Sequence, residues 1–198
     1  MTGLIREKVD QAVKILQEKR VDLWLTFVRE TTAMRDPVLS LIYGENNLTW
    51  QSALLLGADG ERTAIVGRFE EETVRKIGAY QLVIPYDQAI RPHLLEVLAR
   101  INPRSIALNI SQNNVLADGL SHGMHQILLE MLEGTPFAER LVSAEEVIGA
   151  LRGRKTPAEV TRIRKAVKHT LEIYRDVLAG IQSGMSEAQI AGRMQEMA

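Results

Sequence analysis

Asp118, His122 and His125 are the side chains whose types and spacing come nearest to a metal site. Steps of four and three residues put all three near one face of a helix, if the helix begins early enough to include Asp118. A carboxylate and two imidazoles could then hold zinc, iron or manganese, given hydrogen-bond partners that hold the other ring nitrogens. A plainer reading is also open. In it Asp118-Gly119 is a turn, Ser121 caps a helix that starts after it, and the histidines sit half exposed.

A second set is basic: Arg152, Arg154, Lys155, Arg162, Arg164, Lys165 and Lys168. Such a run could track phosphates, each neutralised phosphate releasing a counterion. Glu159 and Glu172 interleave with it, however, and no aromatic residue for base stacking lies between Arg152 and Lys168. The pattern is that of a solvated linker and helix face, so no nucleic-acid partner is expected. The chain has no G-x-S-x-G elbow, no P-loop and no G-x-G-x-x-G string. Its cysteine count of 0 excludes disulfides, thiolate metal sites and cysteine nucleophiles. No residue is assigned a catalytic role.

The elements that would position these residues read as alternating helices and strands. Leu4, Val9, Val13 and Leu16 recur at roughly helical spacing among charged residues, which predicts an amphipathic opening helix. Asp22 to Val28 is rich in aromatic and β-branched residues, hence a buried strand that places Trp24 in the core. Ser52 to Gly57 and Thr63 to Val66 are joined by Ala58-Asp59-Gly60-Glu61. Asp-Gly between apolar runs is a hairpin signal, because glycine accepts the positive φ of a tight turn. Further on come a helix at 69–78, a strand at 81–85, a helix at 90–101, a strand at 105–110 and a helix at 121–132. The sum is an α/β domain over residues 1–150, a mixed β-sheet with flanking helices.

Length and composition are those of a soluble globular protein: 198 residues, 45% hydrophobic, 25% charged, formal net charge −1. Neither a signal peptide nor a membrane partner is expected, since no apolar run approaches the ~20 residues that span a bilayer. A cytoplasmic location follows as the expectation.

Residues 151–198 differ from what precedes them. Leu151 to Pro157 is a basic junction punctuated by glycine and proline, and Thr156, Pro157 and Glu159 form a capping-box start. A helix follows with Val160, Ile163, Val167, Leu171, Tyr174 and Leu178 along one stripe, running to about Ser183 before Gly184. Ser186 and Gln189 then start another. One long helix and a short one cannot bury such stripes by themselves, so this segment reads as the beginning of something larger.

The string Leu151-Arg-Gly-Arg-Lys155-Thr-Pro157-Ala-Glu159-Val-Thr-Arg-Ile163-Arg-Lys-Ala166 resembles the junction between the two domains of creatinase, prolidase and Xaa-Pro aminopeptidase chains. Gly184-Met-Ser-Glu187-Ala-Gln-Ile-Ala191 resembles the step between the first two catalytic-domain helices of that family. Ala107 to Ser111 and Ala117 to Met124 resemble one bacterial-type branch more loosely.

The resemblance implies a creatinase-like front domain over 1–150, then, over 151–198, the linker and first helices of an incomplete pita-bread domain. It implies a parent that hydrolyses the bond before proline with two divalent metals (Mn, Co or Zn), held by two aspartates, one histidine and two glutamates. The seven residues after Ala191 contain neither histidine nor aspartate. No ligand of that set carries over, and this chain alone is expected to be inactive and to hold no cofactor. Family front domains help form a homodimer, and loops at their sheet ends can reach a neighbouring active site. Arg29, Arg35, Asp36, Trp50 and Arg68 occupy such positions here, as interface or substrate-access candidates or as surface residues in local ion pairs. The alternative is a free-standing interaction or small-molecule-binding module of the same fold.

Overall fold

The computed structural model describes residues 2–197. Two compact units succeed one another, the first ending at Arg154 and the second beginning at Lys155.

The first unit opens with α1 (Thr2–Lys19), whose Ile5, Val9, Ala12 and Leu16 are buried along one stripe. Next come β1 (Leu23–Val28), the one-turn α2 (Leu39–Ile42), and the antiparallel pair β2 (Ser52–Gly57) and β3 (Arg62–Gly67). α3 (Glu71–Ile77), β4 (Leu82–Tyr86), α4 (Arg91–Ile101) and β5 (Ile106–Leu108) follow, then α5 (His122–Leu132), β6 (Leu141–Ser143) and α6 (Glu145–Gly153). The expected hairpin is present. Gly60 takes φ +97° in its turn, and Glu61 N–H donates to Asp59 Oδ1 at 2.9 Å.

The six strands form one sheet in the order β4-β3-β2-β1-β5-β6. β1 pairs antiparallel with β2 and parallel with β5; β3 with β4 and β5 with β6 are parallel. The sheet is therefore mixed, as expected. Both faces are covered. On one, Trp24, Val28, Leu54, Leu56, Ala64 and Ala107 pack with α1, α2, α3 and α6. On the other, Leu23, Leu25, Phe27, Leu55, Ile65 and Leu108 pack with α4 and α5. The side chains of β1 alternate between these layers, so a fully buried strand needs a nearly continuous apolar run. Each such side chain contributes about 1.5–3 kcal/mol through burial.

Two expectations are corrected near the end of this unit. The junction foreseen from Leu151 is still helical there, because α6 runs to Gly153. Buried Lys8 of α1 secures that end, donating from Nζ to the carbonyls of Leu151 at 2.6 Å and Arg154 at 3.0 Å, where a helix C-terminus leaves acceptors unpaired. Short β6 was not foreseen at all; its three residues are too few to show a period.

The second unit contains α7 (Pro157–Ala179) and α8 (Glu187–Glu196). Both carry complete capping boxes, Thr156 with Glu159 and Ser186 with Gln189. α7 ends before the expected Ser183, with Gly180 as its C-cap. Its stripe of Ile163, Val167, Leu171, Tyr174 and Leu178 stands about half exposed. Among the described residues, no helix is long and apolar enough to cross a membrane.

Candidate functional site

β1 and β3 run alike, and each has a parallel neighbour, so the carboxyl ends of five strands and the amino end of β2 share one end of the sheet. The loops there bring in most of the singled-out residues. A cleft of about 420 Å³ opens beside the carboxyl end of β1. Arg29, Glu30 and Met34 come to it from the β1–α2 loop, and Gly119, Ser121 and Met124 from the loop and helix after β5.

The β1–α2 loop folds against the chain preceding β2. Glu30 and Thr31 donate backbone N–H groups to the carbonyls of Thr49 at 3.1 Å and Leu48 at 2.9 Å. Arg29 is exposed at the cleft and, among the described residues, makes no ion pair or hydrogen bond. Arg35 is turned to structural use: its guanidinium donates to the carbonyls of Gly44 and Asn46 and to Asn47 Oδ1, and it pairs with Glu45 at 3.9 Å.

Asp36 is not on the surface. It is 3% exposed, and its two oxygens accept from Asn109 Nδ2 at 2.7 Å and from Val38 N–H at 2.9 Å. Asn109 in turn accepts from Trp24 Nε1 through Oδ1 at 2.6 Å and donates to Thr26 Oγ1 at 3.2 Å. Burial raises the Asp36 carboxyl above the ordinary aspartate value, and nearby Asp118 adds to the rise. The hydrogen bonds from Asn109 and Val38 and the charge of Arg152 oppose it. Gly119 lies directly over this carboxylate, where a Cβ would collide with it.

Trp50 is half buried. Its ring meets Phe69 edge-on, with centroids 6.2 Å apart, and Tyr86 at a tilt, 5.6 Å away. Phe69 is 85% exposed and Trp50 half buried, so these two rings form an aromatic ledge open to solvent, with the buried Tyr86 ring against Trp50. Glu70 supports it from below: one carboxylate oxygen, Oε1, accepts from Thr49 N–H at 3.1 Å, and a Cβ at Gly67 would lie 2.9 Å from the Trp50 ring. The Tyr86 hydroxyl donates to Gln51 O at 2.7 Å, and burial pushes its pKa up to about 12. Arg68, next to Phe69, is paired with Asp87 in an exposed bidentate bridge.

The structure does not assemble Asp118, His122 and His125. α5 starts at His122 with Ser121 as its cap, so Asp118 lies outside the helix and the spacing of four has no geometric meaning. Asp118 Oδ1 instead accepts from Ser111 N–H at 3.1 Å. Asp118 and His125 do border one shallow depression, with Glu145, but His122 does not. Among the described residues no group of three histidines, cysteines or acids could hold a metal ion. The donors present therefore do not fit a two-metal centre. Asn109, Gly119, Phe69 and Glu70 escaped the reading of the sequence as site residues. A terminal asparagine on a buried strand is the one signal that could have pointed to Asn109.

Neither a family model nor a curated protein sequence matches this chain. Solved structures do. A Xaa-Pro dipeptidase from Bacillus anthracis matches with a TM-score of 0.60 and 14% identity, over 98% of this chain and 48% of its own. The dipeptidase PepE from Mycobacterium ulcerans matches with a TM-score of 0.60 and 21% identity, over 99% of this chain and 49% of its own. The N-terminal domain of a Xaa-Pro dipeptidase from Lactobacillus brevis matches 72% of this chain over 98% of its own length, with a TM-score of 0.51 and 14% identity. The chain thus spans about half the length of the first two, and its mixed six-stranded sheet with flanking helices is the fold of the N-terminal domain of Xaa-Pro dipeptidases and prolidases.

Proposed function

We propose that this chain is the non-catalytic front part of a metal-dependent, cytoplasmic Xaa-Pro peptidase that works as a homodimer. The likeness to a Xaa-Pro dipeptidase over nearly the whole of this chain carries the reading. The Lys155 to Ala166 string and the capping box at Thr156 support it, as the entry into a catalytic domain. In this reading the first unit contributes to the dimer, and the loops at the carboxyl end of the sheet border the way to a catalytic cleft. Trp50 with Phe69, Arg29 and Arg68 supply an aromatic and cationic rim. Asp36 acts only from beneath, and Arg35 by holding its own loop. Two divalent ions (Mn, Co or Zn), bound by residues outside this chain, would activate water and polarise the bond before proline.

The test is to express the gene's whole reading frame and assay a Xaa-Pro dipeptide with each metal, beside the 198-residue chain alone. Hydrolysis by the longer product and none by the shorter is expected. Failure of the longer product with every metal, or a reading frame that closes at Ala198, overturns the proposal. In the active enzyme, Trp50→Ala should raise KM; unchanged kinetics would remove Trp50 from the rim.

The cleft beside β1 favours a second reading, a free-standing small-molecule-binding or interaction module of the same fold. A saturable, ligand-specific rise in the melting temperature of the 198-residue chain, lost in Arg29→Ala, would select it.

A further inference from the structure

Four charged residues lie in the β1–α2 loop, and they divide into two pairs. Arg35 and Asp36 are used in building the loop, the first by carbonyl and amide acceptors and the second by buried donors. Arg29 and Glu30 are exposed, and both line the cleft beside β1. Among the described residues neither side chain forms an ion pair or a hydrogen bond, with the other or with any third group. The wall around them is apolar: Phe27 comes from the end of β1, Met34 from the loop and Met124 from α5. Arg29 follows Phe27 by two residues, which continues the alternation of the strand onto the face that α5 covers.

Glu30 is held in a backbone conformation that suits glycine better, with φ at +45°. Its N–H donates to Thr49 O at 3.1 Å, and its carbonyl accepts from Ala33 N–H at 2.9 Å and Met34 N–H at 3.1 Å. The bonds of this residue are thus made by its backbone, and a glycine would make them with less strain. The carboxylate is what glutamate adds at this position. A cation and an anion side by side also select against a ligand of one sign. Glu30 repels a phosphate that Arg29 would hold, and Arg29 repels a metal ion or simple amine that Glu30 would hold. A ligand that carries both charges satisfies both. Asp36, beneath Gly119, does not compete for it, because its two oxygens are already bonded.

We propose that the cleft binds a free α-amino acid with an apolar side chain. Arg29 receives the carboxylate in a charge-assisted pair, Glu30 accepts from the ammonium, and Phe27, Met34 and Met124 take the side chain. Arg29 and Glu30 are consecutive, with Cα atoms about 3.8 Å apart, which suits two charges carried on one carbon. The volume of about 420 Å³ lies within the range of small-ligand sites, roughly 300–1,000 Å³. The inference rests on the reading of the cleft as a small-molecule site and does not depend on the peptidase reading.

Proton–nitrogen NMR of the whole chain reads binding at the backbone amides of Arg29, Glu30, Met34, Gly119 and Ser121. L-leucine should shift them saturably. N-acetyl-L-leucine lacks the ammonium and L-leucinamide lacks the carboxylate, and each should bind at least about tenfold more weakly. Arg29→Gln should weaken L-leucine by a similar factor and leave L-leucinamide unchanged. Glu30→Gly keeps the left-handed backbone and removes the carboxylate; it should weaken L-leucine and leave N-acetyl-L-leucine unchanged. No saturable shift with L-leucine overturns the proposal, and so does L-leucine binding that neither variant weakens. An analogue that binds as tightly as L-leucine overturns the two-charge ligand but leaves the small-molecule reading standing. That reading falls only when no ligand raises the melting temperature of the chain. The three titrations of the unchanged chain decide the matter even if a variant does not fold.

Discussion

The Trp24 indole donates to Asn109 Oδ1 at 2.6 Å, and this one bond decides which way the Asn109 amide faces. Asn109→Asp keeps an acceptor for the indole but sets a second buried carboxylate against Asp36. Urea unfolding at neutral pH should show a loss of about 3 kcal/mol or more, the usual cost of an uncompensated buried charge. The two acids would share a proton at low pH, with a raised folded-state value. The loss should therefore be small below about pH 4 and grow as pH rises. A loss independent of pH would count against the contact.

Gly119 and Gly149 make a matched pair. A methyl at Gly119 would collide with the Asp36 carboxylate, whereas one at Gly149, inside α6, meets nothing within 4 Å. Gly119→Ala should cost about 1–3 kcal/mol through overpacking. Gly149→Ala should gain about 0.5–1 kcal/mol through helix propensity. Thermal melts of the two variants should move in opposite directions.

Thr156 satisfies two backbone groups at the start of α7, accepting at Oγ1 from Glu159 N–H at 3.2 Å while its own N–H donates to the Glu159 carboxylate at 2.7 Å. Thr156→Ala should cost about 1 kcal/mol of local stability. Amide exchange should quicken in the first turn of α7 and leave α8 unchanged.

At the far end of the sheet, Asp22 and Glu61 behave oppositely to Asp36. The Arg104 hydrogen bond to Asp22 and the Arg100 hydrogen bond to Glu61 hold both carboxyls below their ordinary values. Their contribution is present above the unfolded values of about 3.9 and 4.3 and is lost as pH falls through the lower folded values. Both arginines are exposed, so solvent screens each pair and keeps its contribution small. Arg100→Ala should flatten the acid limb of the stability profile slightly and do nothing at high salt.

What the sequence revealed was local. The β1 run, the Asp59-Gly60 turn, Ser121 as a cap and the Thr156 and Ser186 boxes each depend on neighbours within a few residues, and all were legible. Asp36 and Asn109 are far apart in the chain, and neither has a neighbour that announces the other, so their bond needed coordinates. The metal reading failed for a related reason. It required knowing where α5 begins, and Ser121 competes with Asp118 for that role. The aromatic ledge was half visible: Trp50 drew notice, but Phe69 and Tyr86 meet its ring only because β3 and β4 lie side by side.

The place of β1 in the sheet bears on how the chain first acquires its shape. Its antiparallel partner β2 follows soon after it, but its parallel partner pairs Leu23 with Ile106. Closing roughly 80 residues instead of the hairpin's four costs about 2.7 kcal/mol more in loop entropy. The β2–β3 hairpin should therefore assemble early, with β1 joining one side while its other edge waits. During synthesis the apolar edge at Leu23 to Leu25 stays bare until β5 has left the ribosome, an exposure that favours pairing with other chains.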